Sequence, residues 1–458
     1  MAGFTAAEIV AATGGRLVAG DETCACSGIT TDSRAVAPGQ CFVALRGERF
    51  DGHDFLAAAL QAGARGAVVS RAPEDLSPSQ TAFIVLVPDT LTALGDLARA
   101  YRARFEIPLI GITGSTGKTT TKDMTVAILV RRGPVAATPE NFNNEIGVPL
   151  ALLSLTAEHR AAVIEMAMRG AGEIAYLAAL AQPTIGVVTN IGLSHLERLG
   201  SPQAIAAAKG ELVEALGEGI AVLNADDAYS DGLAARAQGP VVTFGLGETA
   251  DFRAVEIAPV DEAVSFRLVC PDGEIAVRLE APGRHQVLNA LAAAAAATQA
   301  GASPDDIAAG LSAFTASHRR AQTVRARAGF RIIDDCYNAS PASTEAALEM
   351  LGDVQARRRV AILGDMLELG PSAPELHRAI GEHAGAMGLD LVIAVGELGR
   401  WIADGARAAM GTQAVRWTPS GEQAAQWALE ALGPGDVVLV KASRAMRFED
   451  IVGRLSGA

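Results

Sequence analysis

No stretch of this sequence stays apolar for the roughly 18 residues that a membrane-spanning helix needs. The start, Met1-Ala-Gly-Phe-Thr-Ala-Ala-Glu8, lacks a basic lead followed by an apolar core, so it does not read as a secretory signal. Cysteine is sparse, with five in 458 residues. Cys24 and Cys26 are close, but no second Cys or His pair accompanies them, which argues against zinc. A scattered, odd set of cysteines without a signal fits a reducing cytoplasm, and a cytoplasmic location is the expectation. Positive charge is short as well. The net charge of −14 argues against a general nucleic-acid or anionic-membrane surface, so an anionic substrate has to be met by local cations. There is no internal repeat and no disordered low-complexity tract.

Half of the residues are hydrophobic and a fifth are charged, which is ample for a core, and the length suggests two to four domains. The most informative stretch is Ile110-Gly-Ile-Thr-Gly-Ser-Thr-Gly-Lys-Thr-Thr-Thr-Lys122. It follows the apolar run Ile107-Pro-Leu-Ile110, short enough for a buried strand, and leads into a helix-forming run from 118 to about 131. Unpaired N–H groups and the helix dipole make such a junction an anion site. Gly114 and Gly117 let the backbone approach a phosphate chain, Lys118 can reach the outer phosphates, and the Thr119 hydroxyl can ligate Mg²⁺. The spacing is Gly-x-x-Gly-Lys-Thr, more compact than the usual four residues between glycines.

Around this junction the chain reads as α/β in three parts: 1–84, 85–313 and 314–458. In the first, Thr5 caps a helix, 41–45 is a strand and 55–62 a helix. Two polar loops, Thr31-Asp-Ser-Arg34 onward and Arg46 to His53, suggest either a binding surface or ordinary turns. Residues 71–79 read as a solvated loop and 82–87 as a strand. The second part has continuous apolar strands at 161–165, 184–189 and 220–223, as in a parallel sheet covered on both faces. Alternating strands at 252–279 suggest an antiparallel flap, and Gly283-Arg-His-Gln-Val-Leu-Asn289 opens a long alanine-rich helix. The third part restarts with four strands, 331–335, 359–363, 391–395 and 437–440, a second doubly wound sheet.

Ligands of open parallel sheets gather at strand carboxyl ends. Glu165 ends one strand, and His195 lies five residues beyond Asn190, where another ends. With Thr119 they can hold Mg²⁺ beside a nucleotide. Lys209 shares a helix face with Ile205 and Leu212. A lysine there either snorkels to water or is buried, and then has to be neutralised, paired or modified. In the third part, Asp334-Asp-Cys-Tyr-Asn-Ala-Ser-Pro341, Gly364-Asp-Met-Leu-Glu-Leu-Gly370 and Lys441-Ala-Ser-Arg444 all follow strands.

These motifs, taken together, resemble the Mur ligases, ATP-dependent amide-bond-forming enzymes of peptidoglycan synthesis, over essentially the whole chain. The resemblance implies a small UDP-sugar domain, a central P-loop ATPase-like sheet and a Rossmann-like ligase domain. It implies that Gly114, Ser115, Thr116, Gly117, Lys118, Thr119 and Thr120 hold ATP, with Asn289 near adenine and Arg320 contacting ATP. Two Mg²⁺ are implied on Thr119, Glu165, His195 and a carbamylated Lys209, and Lys118, Glu165, His195 and Lys209 are implied as catalytic. Thr31-Asp-Ser-Arg34, Asp51-Gly-His53 and the clusters at 334–338 and 364–370 are similar to the branch that adds D-alanyl-D-alanine to UDP-N-acetylmuramoyl-tripeptide. The implied substrate contacts are Ser33, Arg34, Asn144, Asp335, Tyr337, Asn338 and Lys441. A monomer is expected. The chain departs from the family at Ala167-Met-Arg-Gly170 and at Arg319-Arg320. The alternatives are a sister ligase adding a different amino acid, a folylpolyglutamate synthase, or a nucleotide-gated binding protein.

Overall fold

The computed structural model describes residues 3–47, 49–72, 82–260, 263–315 and 319–457. Three α/β units follow one another, each around its own sheet. Most of the loop expected at 71–79 lies outside the described residues.

The first unit opens on the helix Ala6–Thr13. Thr5 accepts from the Glu8 amide and the Glu8 side chain returns to the Thr5 amide, so both ends of the first turn are satisfied. Its five-stranded sheet runs in the order Arg16–Ala19, Phe83–Leu86, Gly66–Val69, Cys41–Val43, Ile29–Thr30. Because Phe83–Leu86 belongs to this sheet, the division expected at 84 cuts through a strand. The helix expected at 55–62 is a 3₁₀ turn, Gly52–Phe55, followed by Leu56–Gln61.

The central sheet has nine strands, with Leu109–Thr113 between Ile185–Val188 and Ala161–Glu165, all parallel. Glu165 pairs in register with Ile112 and Val188 with Thr113, so the three strands end on one edge. The chain's first strand in this sheet thus sits in its interior, flanked on both sides by later ones, the arrangement that opens a crevice at the carboxyl ends. The strands Phe252–Val260, Ala263–Cys270 and Gly273–Leu279 are antiparallel, as their alternation suggests. They are continuous with the sheet, since Phe244 pairs Phe252 and Gly245 pairs Arg253. Behind it, the helices Lys118–Leu129 and Arg284–Gln299 pack together. Ala290, Ala292, Ala293, Ala294, Ala295, Ala296 and Ala297 are wholly buried, and their small side chains let backbones come close.

The third sheet runs Gln322–Arg325, Arg331–Asp334, Val437–Lys441, Arg359–Gly364, Leu391–Val395, Val415–Thr418. The four inner strands are those expected. The two outermost escape the sequence reading because edge strands are only half covered: Gln-Thr-Val-Arg and Val-Arg-Trp-Thr mix polar with apolar residues and carry no continuous apolar run.

Candidate active site

The turn after Thr113 brings the backbone against its neighbours. Gly114 has φ +146° and Gly117 φ +78°. A Cβ on Gly114 would lie 1.8 Å from Thr189 Oγ1, and one on Gly117 2.3 Å from Asn289 Oδ1. Both positions therefore require glycine for space and for conformation. The helix then starts at Lys118 with its first amides free of helical partners.

Four groups meet at this turn. Lys118 Nζ donates to Gly114 O at 2.8 Å and to Ser115 O at 3.3 Å. Lys209 Nζ reaches the same Gly114 carbonyl at 2.9 Å from the helix Pro202–Ala215. Lys209 is 2% exposed, so its side chain does not snorkel. Burial pushes its ammonium well below the ordinary lysine value, and the neighbouring Lys118 adds to this. Burial lowers Lys118 too; Glu165 opposes the shift and Arg320 reinforces it. Glu165, itself buried, accepts from Thr119 Oγ1 at 2.7 Å on one oxygen and from Asn143 Nδ2 at 2.7 Å on the other. A hydroxyl and a carboxylate side by side are a hard-oxygen donor pair that suits Mg²⁺. Among the described residues no cluster of three His, Cys, Asp or Glu could hold a metal. The rest of a coordination shell would thus fall to phosphates and water, the usual pattern for Mg²⁺.

His195 has φ +62° and sits just before the helix Leu196–Leu199. Its Nδ1 bonds Glu368 Oε2 of the third unit at 2.6 Å. Burial lowers its pKa, Glu368 opposes that, and Lys209 and Lys118 add to it.

The third unit faces these groups across a cavity of about 630 Å³. Lys441, at the end of Val437–Lys441, donates to Asp335 Oδ2 at 2.5 Å and to Asn338 O at 3.1 Å. Arg320 lies 4.1 Å over the Tyr337 ring. Loss of hydration pushes half-buried His285 down to about 4; Asp335 opposes that shift and Lys441 favours it. Asn289 is on the wall beside Gly117.

The cavity wall gathers Ser115, Thr116, Gly117, Lys118, Thr119, Thr120, Glu165, His195, Asn289, Arg320, Asp335, Tyr337, Asn338 and Lys441. Gly114 and Lys209 stand directly behind it. Ser33 and Arg34 are not on this wall; the Arg34 guanidinium folds onto Asp32 at 2.9 and 2.8 Å and is mostly exposed. Asn144 is not there either. Its Oδ1 accepts from Ile146 and Gly147 amides, 3.2 and 2.9 Å away, and so ties down the turn that leads into the helix Gly147–Leu153. Asn143 takes the place beside Glu165. Sequence reasoning missed Asn143, His285 and Glu368 as site residues. His285 and Glu368 lie in motifs that it had marked and Asn143 adjoins Asn144, but adjacent asparagines look alike, and a contact between units leaves no local pattern.

Three family models match the chain. They are the Mur ligase family catalytic domain at 25–102, the Mur ligase middle domain at 112–297, and the Mur ligase glutamate ligase domain at 319–444. The UDP-N-acetylmuramoyl-tripeptide–D-alanyl-D-alanine ligase of Bacillus subtilis is 37% identical over 432 residues, 93% of this chain and 92% of that protein. A crystal structure of MurF from Acinetobacter baumannii is similar with a TM-score of 0.89 at 32% identity, covering 99% of both chains. The MurF ligase of Thermotoga maritima in complex with ADP is similar with a TM-score of 0.84 at 30% identity, covering 94% of this chain and 97% of that one. From end to end, this chain belongs to the Mur ligase family.

Proposed function

We infer that this chain is an ATP-dependent ligase that joins D-alanyl-D-alanine to UDP-N-acetylmuramoyl-tripeptide in peptidoglycan precursor synthesis. The observation that carries the reading is the single cavity with Lys118, Thr119 and Glu165 on one wall and Arg320, Asp335, Asn338 and Lys441 on the other. The tripeptide's terminal carboxylate attacks the γ-phosphorus of ATP, ADP leaves, and the resulting acyl phosphate is attacked by the dipeptide amine with loss of phosphate. Such chemistry depends on positioning and on neutralising the phosphoryl oxygens.

The free amides at the 118 helix start and the Lys118 ammonium bind the β- and γ-phosphates. The phosphates replace the Gly114 and Ser115 carbonyls as partners of the amine. Thr119 and Glu165 would hold Mg²⁺, with His195 and Lys209 serving a second ion. The metal, when bound, draws charge off the phosphate oxygens. Lys209 as an ammonium cannot ligate a cation. Burial favours its neutral amine, the form that reacts with carbon dioxide to give a carbamate carrying two oxygens. Asn143 keeps Glu165 from turning away. On the far wall, Arg320 faces the phosphates, while Lys441, Asp335, Tyr337 and Asn338 receive the dipeptide. Ser33 and Arg34 in the first unit take the UDP-sugar, and Asn144 shapes the loop that the peptide crosses. The three units, with the first extended to include the strand Phe83–Leu86, thus carry sugar, ATP and amine respectively. No helix among the described residues is long and apolar enough to cross a membrane.

The test is phosphate release measured with ATP and the UDP-tripeptide, with and without D-alanyl-D-alanine. A ligase releases phosphate in step with the dipeptide, whereas a nucleotide-gated binding protein shows no such dependence. Lys118→Ala should lower the rate by about a hundredfold or more. Full activity in that variant would remove Lys118 from the mechanism.

A further inference from the structure

One contact between the central and third units concerns a single ring. His195 Nδ1 meets Glu368 Oε2 at 2.6 Å. Backbone bonding runs alongside, with the Glu197 amide donating to Glu368 O at 3.1 Å. Both His195 and Glu368 hold left-handed backbones, φ +62° and +64°, a conformation that side-chain-bearing residues keep only where their surroundings impose it. The Glu368 carboxylate is 56% exposed, so burial does not hold it in place. Its loop does. The Met366 amide donates to buried His377 Nε2 at 2.8 Å, and the Leu367 amide to Ser443 Oγ at 2.9 Å. The turn ends at Gly370, whose missing Cβ would lie 3.3 Å from Glu197 Cα. The carboxylate is thus mounted on a loop pinned from behind and pressed onto the segment that carries His195.

We propose that Glu368 is a positioning residue. By accepting Nδ1–H it fixes the tautomer and rotation of His195, leaves Nε2 as the one ring nitrogen free to bind a cation, and makes that site complete only when the third unit is docked. This rests on the reading of His195 as a ligand. Carboxylates that accept the second N–H of a ligating imidazole orient it, and their loss typically weakens metal affinity by about 10–100-fold.

Mn²⁺, a paramagnetic stand-in for Mg²⁺, tests this by titration of the ADP-saturated full-length protein, with no ligation involved. Glu368→Ala should weaken Mn²⁺ binding by about tenfold or more, with ADP affinity measured without divalent ions unchanged, which also shows that the variant is folded. Glu368→Gln, whose amide oxygen still accepts from Nδ1–H, should recover most of the loss. His195→Ala sets the floor. Unchanged Mn²⁺ affinity in Glu368→Ala overturns the proposal, as does wild-type affinity in His195→Ala. A loss that Glu368→Gln fails to restore also overturns it, because charge and not orientation would then be the cause. Since the readout is ion binding, a wrong acceptor assignment for the ligase would leave these outcomes unaffected.

Discussion

Two amines on one carbonyl is an arrangement that only a ligand or a modification relieves. Lys118 and Lys209 both donate to Gly114 O, and neither has a carboxylate within salt-bridge distance among the described residues. Lys209→Met keeps the length of the side chain and removes the buried amine. We expect it to lose ligase activity by at least about a hundredfold while its thermal stability rises or holds, because an unpaired buried ammonium opposes folding. The sign with pH follows. The folded lysine binds its proton less tightly than the unfolded one, so this penalty is full at low pH and fades as pH climbs toward about 10.4. In buffer freed of carbon dioxide, the Tm difference between Lys209→Met and the unsubstituted chain should therefore shrink from pH 7 to pH 9.5; a constant difference would contradict a depressed Lys209. The two asparagines make a second contrast. Asn143→Ala should lower kcat with little change in stability, since it frees Glu165. Asn144→Ala should cost about 1 kcal/mol of stability through the lost hydrogen bonds to the Ile146 and Gly147 amides, read by chemical denaturation.

At the level of the element, the strand–turn–helix at 109–129 is the part that tolerates least. Gly117→Ala would combine a left-handed residue with a methyl 2.3 Å from Asn289 Oδ1. It should weaken ADP binding by about tenfold or more in calorimetric titration, and an affinity equal to that of the unsubstituted chain would mean that the turn opens freely. This element is also the most legible in the sequence, because each of its demands is local: an apolar run, two glycines, a lysine, a hydroxyl and a helix-forming tail. The parallel strands at 109–113, 161–165, 185–188 and 220–224 and the four inner strands of the third sheet were legible for the same reason, being largely buried, whereas Val241–Gly245, half-buried over its first three residues, was not. Lys209 was legible as an anomaly, a charge on an apolar face, but not its partner, since Gly114 is 95 residues away. What stayed hidden has a physical cause in each case. The edge strands at 322–325 and 415–418 carry half-exposed patterns. Asn143 and Asn144 differ only in which way the backbone points them. The third unit's pressure on His195 depends on docking, which no window of sequence encodes.

The whole molecule offers a direct way to see whether nucleotide joins the units. The sequence has three tryptophans, Trp401, Trp417 and Trp427, and all lie in the third unit, so their fluorescence reports the unfolding of that unit alone. The phosphate loop belongs to the central unit. If ADP touched only that loop, the tryptophan transition would ignore it. The cavity wall instead continues onto Arg320, which we place on the phosphates, so on that reading a bound nucleotide is lost when the third unit unfolds. A ligand at a hundred times its Kd stabilises whatever must be folded to bind it by about 2.7 kcal/mol, with about 2–4 °C of midpoint shift per kcal/mol for a unit of this size. The shift in the tryptophan midpoint is smaller than that limit to the extent that the central unit binds alone. Arg320→Ala should remove most of the shift, because it strips the third unit's hold on the phosphates while leaving the phosphate loop intact. An unchanged tryptophan midpoint with saturating ADP in the unsubstituted chain would mean that closure waits for the peptide substrates, and would separate the ATP-binding step from docking of the third unit.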